Sequence, residues 1–214
     1  MSNTHTYSSD VAFTPAVKAI QTRKGSREAY ADVEVRGGWR TEVDENLSAF
    51  LADANSLYFA TATAGGQPYI QHRGGRKGFV KVLDRKTLAF ADYRGNRQYI
   101  TQGNLSENPK AYIFVMDYGH RRRVKLWGEA RVVDDDPALP QSLTPQGYKT
   151  RPEQVILFRI SAWDTNCPQH IPQKFDSADV AVALSSRDAR IAELEGELAA
   201  LQRQPASGSP KKDA

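Results

Sequence analysis

A single cysteine, Cys167, stands in a chain of 214 residues, so no internal disulfide can form. That scarcity suits a reducing compartment, and a cytoplasmic location is the expectation. Long apolar runs are also missing. No stretch approaches the roughly 20 residues a membrane helix needs, and mean hydropathy is −0.58. No membrane association is therefore expected. The first residues, MSNTHTYSSDVAF, lack both a basic start and an apolar core, so no secretory signal is expected there. Net charge is only +4. Such a mild excess permits anion binding without requiring it, and no nucleic-acid partner is expected. Zinc is not expected either, since Cys167 and His170 have no partner cysteine.

What is present reads as a β-rich centre between two helical ends. Residues 1–40 read as a helical arm, with helices near Pro15–Arg23 and Ser26–Ala31 broken at Gly25. A better helix is expected from Thr41 to about Ala54. Thr41 would be its N-cap, Asp44 follows three residues later, and Leu47, Phe50 and Leu51 fall at helical spacing. The stretches SLYFATATA, YIQHRG, GFVKVLD and LAFADY then read as strands separated by turns. A helix, GNRQYITQGNLSEN, interrupts them and is stopped by Asn108-Pro109. KAYIFVMDY, RVKLWGEARVV and QVILFRISAWDTN complete the strand set, counted as about six. Short strands with turn signals about every ten residues point to a barrel or a sandwich. The β domain is placed at 41–178.

The last segments differ in character. Over 179–203, Leu184, Ile191, Leu194, Leu198 and Leu201 form a heptad-like seam, interrupted by Arg187. The same pattern suits an amphipathic helix packed on its own domain. Residues 204–214 read as a disordered tail.

One stretch concentrates charge. His72, Arg73, Arg76, Lys77 and Lys81 fall in two short runs with glycines between them. Downstream, Gly95 allows close backbone approach, Asn96 would cap the helix, and Arg97 and Gln98 would fill its first turn. A guanidinium, an ammonium and helix-start amides are what a phosphate dianion needs. The same residues also suit a solvated strand face beside an ordinary capped helix, and both readings stand at this point.

These segments resemble the FMN-binding split-barrel family related to pyridoxamine 5′-phosphate oxidase. The likeness rests on Arg76 to Lys81, then Asn96, Arg97 and Gln98, then Asn108-Pro109, and Arg122-Arg123-Val124 through Gly128. QHRGG, LAFADYRGNRQY, RRVKLWGEARV and AWDTNCPQHIP look like a bacterial flavin-nucleotide-binding subgroup of it. The resemblance implies a mainly β fold: a six-stranded, antiparallel Greek-key split barrel with flanking helices and a C-terminal amphipathic helix. It implies a homodimer that binds FMN, with the phosphate held by the first segments. Asp92 would lie near the flavin ring, and Arg123 would reach the ring from the partner subunit. Trp163, Asn166, Cys167 and His170 would line the pocket near the reactive edge, or simply pack a strand end over the barrel mouth. His72 would be a pocket donor. The implied activity is that of an oxidoreductase on a small-molecule substrate, with NADH or NADPH as candidate electron donors. A non-catalytic flavin carrier or sensor, or a haem-handling protein, is the alternative. Gln98 replaces the family's lysine, and the oxidase's terminal Arg-Leu-x-Pro segment is missing, which argues against pyridoxamine phosphate oxidation itself.

Overall fold

The computed structural model describes residues 6–136, 138–165 and 168–203. The chain divides into two units, Met1–Ile171 and Pro172–Ala214. The first carries the sheet. After a short 3-10 turn at Ser8–Val11 come α1 (Pro15–Lys24), α2 (Arg27–Val35) and α3 (Glu45–Asp53). Strands β1 (Ser56–Ala62), β2 (Pro68–Gly74), β3 (Lys81–Val82) and β4 (Thr87–Tyr93) follow. Helix α4 (Ile100–Glu107) leads into β5 (Lys110–Asp117), β6 (Arg122–Val133), the short α5 (Ala138–Ser142) and β7 (Pro152–Thr165). The second unit holds α6 (Ser177–Gln202). No helix among the described residues is long and apolar enough to cross a membrane.

Local signals decide several boundaries. Gly25, at φ 78, ends α1 in the left-handed conformation that favours glycine. Helix α4 stops one residue before Asn108, whose φ of −141 is extended, as the following Pro109 requires. The start of α3 differs from expectation. Asp44, not Thr41, is the cap, and its Oδ1 accepts from the Leu47 N–H at 2.8 Å. Residue 40 is already committed elsewhere, in a bridge to Trp163, and the Val43 N–H donates to the Arg85 carbonyl at 2.7 Å, so the chain ahead of Asp44 is held by other segments.

All strand pairings are antiparallel, in the order β2-β1-β5-β6-β7-β4-β3. There are seven strands rather than six. GFVKVLD contributes only Lys81–Val82, because Phe79 and Val80 turn inward into the core instead of pairing. Strands β5, β6 and β7 are consecutive neighbours, and β4 returns beside β7, which is Greek-key order.

The sheet is curled. Seven Cα steps separate Gly74 of β2 from Lys81 of β3, a reach of at most about 25 Å. Those two strands are the opposite edges, which a flat sheet of this order would hold about 29 Å apart. Side chains accordingly meet across the interior. Phe59 of β1 lies 5.8 Å from Phe90 of β4, ring to ring, and both are fully buried with Leu57, Ile113, Leu126 and Phe158. The backbone ladder stays open, since no pairing joins β2 to β3 or β4 among the described residues. Strand β4 is covered on its other face too, where Ala89, Val155, Leu139 and Leu143 pack together.

Candidate functional site

The opening between β2 and β4 forms a cleft. Period-two alternation along β2 turns Gln71 and Arg73 toward it and His72 away. His72 is exposed, and its ring meets Tyr58 edge-on at 5.9 Å. It is not among the residues lining the cleft. Arg73 Nη2 donates to Asp92 Oδ2 at 3.4 Å, and its Nε stands 3.2 Å from Oδ1, an ion-pair contact off the hydrogen-bonding direction. Gln154 Nε2 donates to the same carboxylate at 2.9 Å. Burial nevertheless pushes the Asp92 carboxyl above its ordinary value, outweighing the Arg73 charge and the Gln154 hydrogen bond.

The far wall of the cleft is the segment between β4 and α4. Two non-glycine residues there, Arg97 (φ 62) and Tyr99 (φ 53), adopt left-handed backbone, a strained state typical of ligand clamps. The helix therefore begins at Ile100, with Tyr99 as its N-cap, and Asn96 does not cap it. Asn96 Oδ1 instead accepts from the Gln98 N–H at 3.2 Å, closing a local turn. Arg97 and Gln98 precede the helix rather than filling its first turn, but both line the cleft with Asn96 and Gly95. Arg97 Nε donates to the Tyr99 hydroxyl at 3.0 Å, which donates to Glu153 Oε1 at 3.1 Å.

The cations of the charged stretch sort by partner. Arg73 is neutralised by Asp92, and Lys77 lies 3.6 Å from Asp53. Among the described residues Arg76 donates to two backbone carbonyls, those of Gln146 at 3.3 Å and Gly147 at 3.4 Å, and stands over the Tyr148 ring at 5.6 Å. Lys81 Nζ donates to the Gly78 carbonyl at 2.7 Å. A neutral carbonyl orients a cation without cancelling its charge. Arg76 and Lys81 therefore remain available to an anion. Tyr148 in turn packs against Tyr93 at the cleft margin, ring centroids 5.6 Å apart.

A second locus lies at the other end of β7. Arg123 lines a cavity of 280 Å³ with Arg40, Leu47, Phe50, Arg122 and Trp163. Its Nε is buried without a hydrogen-bond partner among the described residues, which leaves one donor for a group from outside. Trp163 is buried, its Nε1 donates to the Glu42 carbonyl at 2.8 Å, and Arg40 stacks over its ring at 4.7 Å. Beyond Trp163 is a larger, half-open pocket of 640 Å³, lined in part by the N-terminal helices. There Trp39 stacks on Trp127 at 4.6 Å, and Lys125 lies over both rings while pairing with Asp164 at 3.2 Å. His170 is exposed with φ 62. Asn166 and Cys167 lie outside the described residues. Sequence reading passed over Arg40, Trp39, Tyr99 and Glu153. The tryptophans and WR at 39–40 were visible signals, but nothing local says which distant strand they meet.

The fold is a curled antiparallel sheet with a cleft at its open side, and comparison gives the family. Residues 43–167 match the pyridoxamine 5′-phosphate oxidase family, so the chain belongs to it. No curated protein matches the chain. Among solved structures it is similar to a Clostridium acetobutylicum protein related to general stress protein 26, of the pyridoxinephosphate oxidase family. That match has 14% identity and a TM-score of 0.43, covering 64% of this chain and 99% of the other. It is similar to the FAD binding protein of Mycobacterium smegmatis at 15% identity and TM-score 0.39, covering 59% and 97%. It is also similar to the haem storage protein of Vibrio cholerae at 16% identity and TM-score 0.36, covering 56% and 89%.

Proposed function

We propose that the chain is an FMN-binding flavoprotein that works as a homodimeric oxidoreductase on a small molecule. The observation that carries this reading is Arg97 in the cleft wall, its Nε donating to a neutral hydroxyl, with Arg76 stacked on Tyr148, which packs on Tyr93 of the cleft. Among the described residues Arg76 and Lys81 donate to backbone carbonyls and lie outside the cleft lining itself, and Arg97 also feels the Glu153 carboxylate. With the side-chain NH2 groups of Asn96 and Gln98 these cations offer a phosphate both charge and directional donors. These residues fit the group the family fold implies.

Geometry supports the dimer. Gln154 at the cleft and Trp163 at the Arg123 cavity are nine residues apart on one strand, about 30 Å along it. Measured along the strand, that is longer than a flavin mononucleotide, which favours a site whose phosphate end and ring end come from different chains. A two-fold partner can present its Arg123 locus to this chain's cleft, giving two equivalent sites.

Bound FMN would supply reversible uptake of a hydride or of single electrons. The residues would position it. Arg123, with its free donor, would hold a negative charge on the ring side. Purification and identification of the bound small molecule test the reading. The expected result is a yellow protein that releases FMN on denaturation. A protein that stays colourless when offered FMN, or one that carries a haem Soret band instead, overturns it. Anaerobic bleaching by NADH or NADPH distinguishes an oxidoreductase from a passive flavin carrier.

A further inference from the structure

Helix α6 presents an exposed apolar seam. Its 26 residues span Ser177–Gln202, and it buries none of them. Leu184, Ile191, Leu194, Leu198 and Leu201 are each between 45% and 62% exposed. With Ile191 at heptad position a, Leu184 and Leu198 are also a, while Val180, Leu194 and Leu201 are d. Apart from Val182, the outward positions carry small or polar residues, among them Ser185, Ser186, Ala189, Ala192, Glu193 and Gly196. From Leu184 onward the large apolar groups therefore make one narrow stripe, the width of a two-stranded contact rather than of a face laid on a sheet.

We infer that α6 is a parallel, in-register coiled-coil segment whose partner is the α6 of a second copy of this chain. Two features select that occupant. Ile at a with Leu at d, which favours two parallel strands, occurs in the Ile191 and Leu194 layer, with leucine at the a positions on either side. Charge then fits only a like partner in the same direction. Arg190 falls at g and Glu195 at the following e, the positions that face each other across a parallel pair. Within one helix Arg190 turns to Glu193, and Glu195 makes no ion pair among the described residues. Arg187 sits at d, and in a parallel pair the partner's e position, Asp188, borders that layer. The one charged residue in the seam thus meets an opposite charge. This contact is separate from the sheet-domain dimer proposed above and does not depend on it.

Cysteine cross-linking in the full chain tests the inference. In a Cys167→Ser background, Leu194→Cys should give a disulfide-linked dimer as the main species after mild oxidation. Glu193→Cys, one position outward, should give several-fold less. Arg190→Glu should lower the Leu194→Cys cross-link several-fold, and adding Glu195→Arg should restore it. Equal cross-linking at 193 and 194, or none at 194, overturns the proposal, because an antiparallel pair or a different partner would not bring the two 194 positions together. Flavin content is not the readout, so failure here leaves the reading of the cleft untouched, and a colourless but cross-linked protein would do the reverse.

Discussion

Arg73 and Asp92 meet across the open side of the sheet, Nε to Oδ1 at 3.2 Å, although their strands, β2 and β4, share no backbone pairing. The contact exists only because the sheet curls. It also places a paired cation in the cleft wall, whose other charged side chains are Arg97 and Glu153, so the cleft lining holds two arginines and two carboxylates.

That pair gives a pH prediction. Burial holds the Asp92 carboxyl above its ordinary value of 3.8, against the pull of Arg73 and Gln154. The native chain therefore keeps this proton to higher pH than the unfolded chain. The stability it contributes is complete below about pH 3.9, and is lost as pH rises through the folded value. Asn cannot ionise. In urea titrations the stability lost by Asp92→Asn should be largest in acid and shrink toward neutral pH. A deficit that grows with pH would mean that Arg73 dominates instead.

Gly128 carries a packing prediction. It follows a register shift between β6 and β7, and a Cβ there would lie 2.1 Å from the Arg159 carbonyl oxygen. Backbone cannot yield cheaply, so Gly128→Ala should destabilise by about 3 kcal/mol or more. Gly95→Ala, where a Cβ meets nothing within 4 Å, should stay within about 0.5 kcal/mol. Denaturant unfolding of the two variants compares them.

Asp44→Ala should remove the α3 cap and cost about 1 kcal/mol. Thr41→Ala should change little, since Asp44 supplies the side-chain acceptor to the Leu47 N–H. Thermal denaturation distinguishes the two.

Arg97→Ala should weaken FMN by about 1.5–3 kcal/mol, roughly 10- to 150-fold in Kd. The fold should be unaffected, because Arg97 is exposed and its one hydrogen bond runs to Tyr99. Fluorescence titration with FMN measures it. Unchanged affinity would remove Arg97 from the site.

A mixed dimer tests the shared site. Chains carrying Arg97→Ala and Arg123→Ala should each bind poorly as homodimers. Paired, they should recover about half of the full flavin content, because one of the two sites then has both arginines. No recovery would mean that each chain builds its site alone.

Much of this was legible locally. The strand stretches, counted as about six where the structure has seven, the Asn108-Pro109 stop, the break at Gly25 and the basic run could all be read from neighbours in the chain. The Asn96 cap was misread for a physical reason. Asn caps any tight turn by the same Asx geometry, and only the left-handed backbone at Arg97 and Tyr99 moves the helix start to Ile100. The Arg40 and Trp163 stack spans over 120 residues and has no local signature.

The sequence by itself determined which residues alternate, which turns form and where positive charge accumulates, since those depend on a few adjacent side chains. Tertiary structure decided which charges survive. Arg73 is cancelled by Asp92, while among the described residues Arg76 and Lys81 donate to carbonyls, and the two loci end at opposite ends of β7. A charge is neutralised by whatever lies within a few ångströms, and in this protein that neighbour comes from a strand or loop distant in the chain.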